Sequence, residues 1–331
     1  MPDWPGGIFA AQFTLDARTR ADKDMTRRGT RRAASRYSRA PMDTPASGFR
    51  HSPALPFLFV VLWSTGFIGA RLGLPHAGPL TFLLIRYGAV LVLFTAIALA
   101  TRAPWPRRPR EWFDIGVAGL LMHGVYLGGV FTAISRGLPA GVASLVVGLQ
   151  PLLTAIVAGG LFGEAVPRRQ WVGLALGFVG VALVVFGKTG SGFGAGALVP
   201  AVVALVGITA GTIWQKRRCP SFDWRTGAVA QFLPTALATG LVAAGTESMQ
   251  VAWSGEFVFA LAWLVFVLSI GAISLLNRLI RQGDVVNIAS LFYLTPPCTA
   301  LLAWLLFSDT LTGMALVGMA VAVGGVYLAR R

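Results

Sequence analysis

Arg86 stands inside the stretch LTFLLIRYGAVLVLF, where nothing else carries a charge. A guanidinium at that depth in an apolar run can anchor an anion or a carboxylate. It can also be satisfied by backbone carbonyls or a lipid headgroup, and the residues alone leave both readings open. His123 and Tyr126, in GLLMHGVYLGG, are three residues apart and share one face of a helix. An imidazole titrates near neutrality and suits a proton relay, although a lone histidine can equally serve only to hydrogen-bond a neighbour. Gln150, Asn277 and Tyr293 offer hydrogen bonds within apolar runs of their own, as do Trp63, Ser64 and Thr65 in the first run. Trp214 and Gln215 close another. Aromatic walls with a few polar groups make a pocket for a small organic molecule. Trp214 can alternatively belong to a belt of aromatics at a membrane interface.

Other chemistries are excluded by what the chain lacks. No HExxH, no clustered Cys/His ligands and no Ser–His–Asp arrangement occurs, so no catalytic residue, metal or cofactor is expected. FGKTG, from Phe186, resembles the end of a phosphate-binding loop, but the first glycine of that pattern would fall on Ala182. Cys219 and Cys298 lie in different segments with no metal-like spacing. Any work done by this chain must therefore draw on a gradient, for example of protons, or on exchange for a counter-substrate.

The elements that carry these residues are apolar. Of 331 residues 55% are hydrophobic and 12% charged, about half the charged share of a soluble domain. Ten runs near 55–72, 80–100, 112–133, 141–162, 171–187, 195–214, 228–244, 257–279, 285–307 and 311–328 are long enough to cross about 30 Å of hydrocarbon. Helices are the spanning element, since lone strands leave backbone groups unsatisfied in lipid. The expectation is an all-α integral membrane protein with ten transmembrane helices.

The net charge of +15 does not point to nucleic acid. Ten of the 28 basic residues fall in the first fifty positions and most others in short loops. Residues 1–50 read as a disordered basic tail on the cytoplasmic side, of which 1–41 are untranslated if the chain starts at Met42. The loops after runs two (TRAPWPRRPR), four (Arg168, Arg169), six (QKRRCPSFDWR) and eight (Arg278, Arg281) are basic, as are both ends of the chain. The intervening loops are not. Both termini are then expected in the cytoplasm, with the chain in the inner membrane of a prokaryote.

The two halves echo each other. Ile134, Gly137, Ala143, Ser144 and Leu145 match Ile280, Gly283, Ala289, Ser290 and Leu291 at an offset of 146 residues. Pro151, Glu164, Gly173 and Gly180 match Pro296, Asp309, Gly318 and Gly325 at 145. Each half, 55–187 and 195–331, holds five runs; an odd number makes the halves cross the membrane in opposite senses. Inverted repeats of this kind belong to secondary transporters with a site near mid-membrane. Pro151 and the pair Pro296–Pro297 should break or kink their helices near that depth. Glu164 and Asp309 fall at opposite faces, as caps or gate contacts. Gly124/Gly128, Gly173/Gly177 and Gly207/Gly211 have spacings that allow helices to approach closely.

On ASLVVGLQPLLTAIVAGGLFGE, its echo ASLFYLTPPCTALLAWLLFSD, LWSTGFIGARLGLP, PLTFLLIRYG and FTAISRGLPAGVAS, the chain from about Leu55 to Arg331 resembles EamA-type permeases of the drug/metabolite transporter superfamily. It departs from them at Asp309, where those permeases usually carry glutamate. The resemblance implies export or exchange of small metabolites such as amino acids, nucleosides or drug-like compounds by a monomer or homodimer in the lipid bilayer. An arginine in the second span, here Arg86, is frequent in such proteins. The alternatives from other classes are an intramembrane enzyme using His123 and a receptor or assembly subunit without transport.

Overall fold

The computed structural model describes residues 54–150, 152–154, 156–157, 168–187, 194–219, 222–272, 275 and 294–330. Pro151, Glu164, Asn277, Tyr293 and the tail 1–50 lie outside them.

Helices account for the described architecture, with a single isolated antiparallel bridge, Ala77 to Val251. In chain order they are α1 (Ala54–Gly73), α2 (Pro79–Ala100), α3 (Pro109–Gly119), α4 (Tyr126–Ser135), α5 (Ala140–Val147) and α6 (Arg168–Gly187). The second half holds α7 (Ala195–Arg218), α8 (Trp224–Thr246), α9 (Gly255–Ala262), α10 (Thr295–Phe307) and α11 (Gly313–Arg330). Two π-helical segments continue α3 and α9, at Leu120–Val125 and Trp263–Ala272, so that 109–135 and 255–272 are unbroken helical runs. Five runs are long and apolar enough to cross a membrane: Pro79–Ala100, Pro109–Ser135, Ala195–Gln215, Trp224–Thr246 and Gly255–Ala272. Shorter apolar helices occupy the other five segments expected from sequence.

The molecule is arranged inside out, as a lipid solvent requires. Leu241, Val92 and Leu237 are 78%, 72% and 64% exposed, whereas Arg86, Gln150, Gln215, Thr235 and Ser64 are buried. With no hydrophobic drive between helices in lipid, close packing and internal hydrogen bonds hold the bundle. Small residues supply the packing. Gly180 and Gly318 lie against each other's carbonyls, and Gly325 lies against Gly173, which joins α6 to α11. Gly207 and Gly211 on α7 admit Val125 and Met122 of the third helical run. The Gly124/Gly128 expectation is corrected: both have only ordinary contacts, and the tight approach is Gly129 against the Pro200 carbonyl and Ala204. The π turn between 120 and 125 explains this, because one extra residue per turn rotates everything after it.

The loops gather at two ends. At one, the Glu247 carboxylate accepts from the backbone N–H groups of Leu80 and Thr81, both at 2.8 Å, and from the Thr81 hydroxyl, capping α2. His76 meets Glu256 at 3.1 Å, and Arg136 donates to the Gly196 carbonyl. At the other end, Thr226 donates to the Pro104 carbonyl and Trp105 stacks on Trp112. Asp223 caps α8 through the Arg225 N–H and also binds that arginine's side chain, which holds its carboxyl below the usual carboxylate range.

The fourth segment is interrupted. α5 ends at Val147, Gly148–Leu149 form a turn, and helical residues resume beyond it. The turn falls at Gly148–Leu149, and Gln150 is again helical. Pro296 and Pro297 open α10 in its first turn, where a missing N–H costs nothing.

Candidate functional site

The central polar groups come from α2, the third helical run, α7 and α8. Arg86 and Tyr87 project from the middle of α2. The Tyr87 hydroxyl donates to the His123 carbonyl at 2.7 Å. That carbonyl lies in the π segment, where the backbone bonding pattern is shifted by one residue and Tyr126 N–H bonds Leu121 O. The His123 ring lies 4.2 Å from the Phe232 ring, stacked at 16°, and its Nε2 lies 3.2 Å from the Gln231 side-chain oxygen. A carbonyl oxygen can only accept, so this Nε2 carries the proton. Gln231 in turn donates to the Gln215 side chain at 3.0 Å.

Gly119 makes this arrangement possible. A Cβ there would collide with the backbone and Cβ of Gln231, so only glycine lets the third run lie this close to α8. Pro234, inside α8, packs on Gly116 one turn earlier.

Arg86 is 7% exposed, and its Nε has no hydrogen-bond partner among the described residues. It interacts electrostatically with Tyr87, Tyr126 and His123. His123 and Tyr126 are half-buried.

Three expected residues, Arg86, His123 and Tyr126, are thus brought together. Gln150 is buried apart from them, donating to Thr154 at 3.1 Å and reaching Thr212 of α7 at 3.5 Å. Trp214 donates its indole N–H to the Asp114 carbonyl at 3.0 Å, and Arg218 lies over its ring. Ser64 and Trp63 form a separate group with α10. Ser64 donates to the Val60 carbonyl and contacts the Thr295 carbonyl, while Trp63 packs on Phe59. Trp263 reaches across to Thr65 at 2.9 Å. Asp309, beyond α10, pairs with Arg71 at the end of α1 at 2.5 Å, and Phe307 lies under that guanidinium. Nothing is described of Asn277, Tyr293, Pro151 or Glu164.

Sequence reading passed over Tyr87, Gln231 and Arg71. Gln231 carried a usable signal: the offset of 145 that relates Pro151 to Pro296 also relates Arg86 to Gln231. The two helices that bear them pack together.

The model of the EamA-like transporter family matches this chain twice, at residues 54–186 and 196–331. A protein of Salmonella typhimurium named as a probable amino-acid metabolite efflux pump is 27% identical, over 83% of this chain and 93% of its own. Its namesake in Escherichia coli is 27% identical over 84% and 94%. An uncharacterized transporter of Bacillus subtilis, YvbV, is 26% identical over 83% and 89%. A solved crystal structure superposes with a TM-score of 0.58 at 22% identity, covering 83% of this chain and 96% of its own, which shows likeness of fold.

Proposed function

The chain belongs to the EamA-like transporter family, whose members here are transporters and efflux pumps of small molecules, not enzymes; from that premise we propose a secondary-active permease of ten helices in two inverted five-helix repeats. It sits in the inner membrane with both termini cytoplasmic and moves small metabolites outwards, or exchanges them, by alternating access. Amino acids are the first class to test, given the names of two relatives.

The observation that carries this reading is the exchange symmetry of the helix packing. Numbering the helical segments one to ten, two packs on seven, four on nine and five on ten, each segment against its counterpart. Some of the remaining contacts come in swapped pairs. Three on six is matched by eight on one, and nine on one by four on six. Segments three and eight also share a π-helical stretch. Two equivalent halves meeting around a polar interior can open to either side by rocking on one another.

Substrate would lie between the halves, against Arg86, His123 and Tyr126 on one side and Trp63 and Ser64 on the other. Gln150 and Trp214 would support the wall formed by α7, and Asn277 and Tyr293 would join from the eighth and ninth segments. Pro151, Pro296 and Pro297 would bend the fourth and ninth segments around the cavity, with Glu164 and Asp309 at the two gates.

Thermal unfolding of the purified full chain against amino acids, nucleosides, polyamines and cationic drugs tests this. A compound at 100 times its Kd should add about 2.7 kcal/mol of stability. Folded protein that responds to none of them, and carries none across liposomes, would count against the permease.

A further inference from the structure

We propose that Arg86 is the anchor for a carboxylate on the transported molecule, so that the substrates are small organic acids or zwitterions. This rests on the transport reading above and narrows it.

Six acidic residues lie among the described residues, and each is engaged away from Arg86. Glu111 accepts from the backbone of Arg107 and Arg108. Asp114 faces Arg110, and Asp223 holds Arg225. Glu247 caps α2, Glu256 meets His76, and Asp309 meets Arg71. The other seven acids lie outside the described residues. Among the described residues the guanidinium therefore has no acidic counter-charge.

A buried cation without a partner is costly, and the surroundings of Arg86 do not supply one. The Tyr87 hydroxyl is committed to the His123 carbonyl and the His123 Nε2 to Gln231. The Arg86 Nε is left with an unused proton among the described residues, on a residue that is 7% exposed. A carboxylate is the group whose geometry matches a guanidinium fork. The position 145 residues on is the neutral Gln231, already engaged with His123 and Gln215.

The test compares acids with the amides that lack their carboxylate, on the full chain in detergent and in liposomes. The probes are leucine against leucinamide, succinate against succinamide, and inorganic phosphate. Acids should half-saturate binding and flux at concentrations about 10- to 100-fold below those of the amides, the worth of one charge-assisted hydrogen-bonded contact. Arg86→Gln should erase that preference, and Arg86→Lys should keep the charge but only part of the preference. If either variant fails to fold, the acid–amide comparison on the unaltered protein still decides. Amides carried as well as acids would overturn the carboxylate anchor and leave the permease standing. Response to phosphate alone would overturn it in favour of a phosphorylated substrate. A folded protein that carries nothing would take down the permease itself, and the anchor with it.

Discussion

Arg71 and Asp309 tie the end of α1 to the end of α10, and breaking that tie should open the corresponding face of the protein. The pair has an N–O distance of 2.5 Å with side chains 30% and 16% exposed. Fully exposed pairs are worth about 0.2–1 kcal/mol, and removing one partner of a fully buried pair costs about 3–5 kcal/mol. A partly buried pair falls between, and the Phe307 ring 4.3 Å from the guanidinium carbon adds about 0.5 kcal/mol. A coupling of about 1–2 kcal/mol follows, enough to change the ratio of open to closed forms by a factor of about 5–30. Ala315 is 1% exposed and lines the crevice beside Asp309, so a cysteine there reports opening. With Cys219 and Cys298 replaced, Ala315→Cys should react with a membrane-impermeant maleimide about 5–30 times faster in Arg71→Gln or Asp309→Asn. The double variant should react no faster than either single one, and Asp309→Glu should stay slow. Equal rates in all four forms would refute the reasoning, as would single effects that simply add to within about 0.3 kcal/mol.

Other perturbations address the bundle and its polar centre. Gly119→Ala should lower stability by about 1–3 kcal/mol and abolish ligand stabilisation, because its new methyl meets the Gln231 backbone and not a movable side-chain tip; paired unfolding scans with and without ligand check both parts. Gln231→Leu leaves His123 and Gln215 without their shared partner, and unfolding in detergent should show a loss of about 1–3 kcal/mol. Asp223→Ala removes the cap of α8 and should cost about 1 kcal/mol at neutral pH. Since folding lowers the Asp223 pKa, its contribution is present above the unfolded value of about 4 and fades as pH falls through the folded one. The stability gap between the variant and the unaltered protein should therefore close in strongly acidic buffer.

Much of this was legible before any coordinates, and the limits have physical causes. Apolar run length marks where helices lie because hydrocarbon thickness dictates it, and each described helix falls in an expected segment. Arg86 and His123 stood out because polar atoms at such depth are expensive. Helix rotation is what a lone sequence leaves open. The π turn at Leu120–Val125 is a choice made by packing, not by composition, and it moved the tight contact from Gly128 to Gly129. Trp214 fitted either a pocket wall or an interfacial belt, and only coordinates reveal its bond to the Asp114 carbonyl. Arg71 looked like one more helix-end charge until Asp309 was found across from it.

The most direct measurement is flux through the purified full chain in sealed liposomes, with no nucleotide present and an outward gradient of unlabelled acid driving uptake of the labelled one. The account predicts saturable counterflow above that of empty liposomes for at least one small carboxylic acid. Folded, reconstituted protein that gives no counterflow for any small metabolite would contradict it.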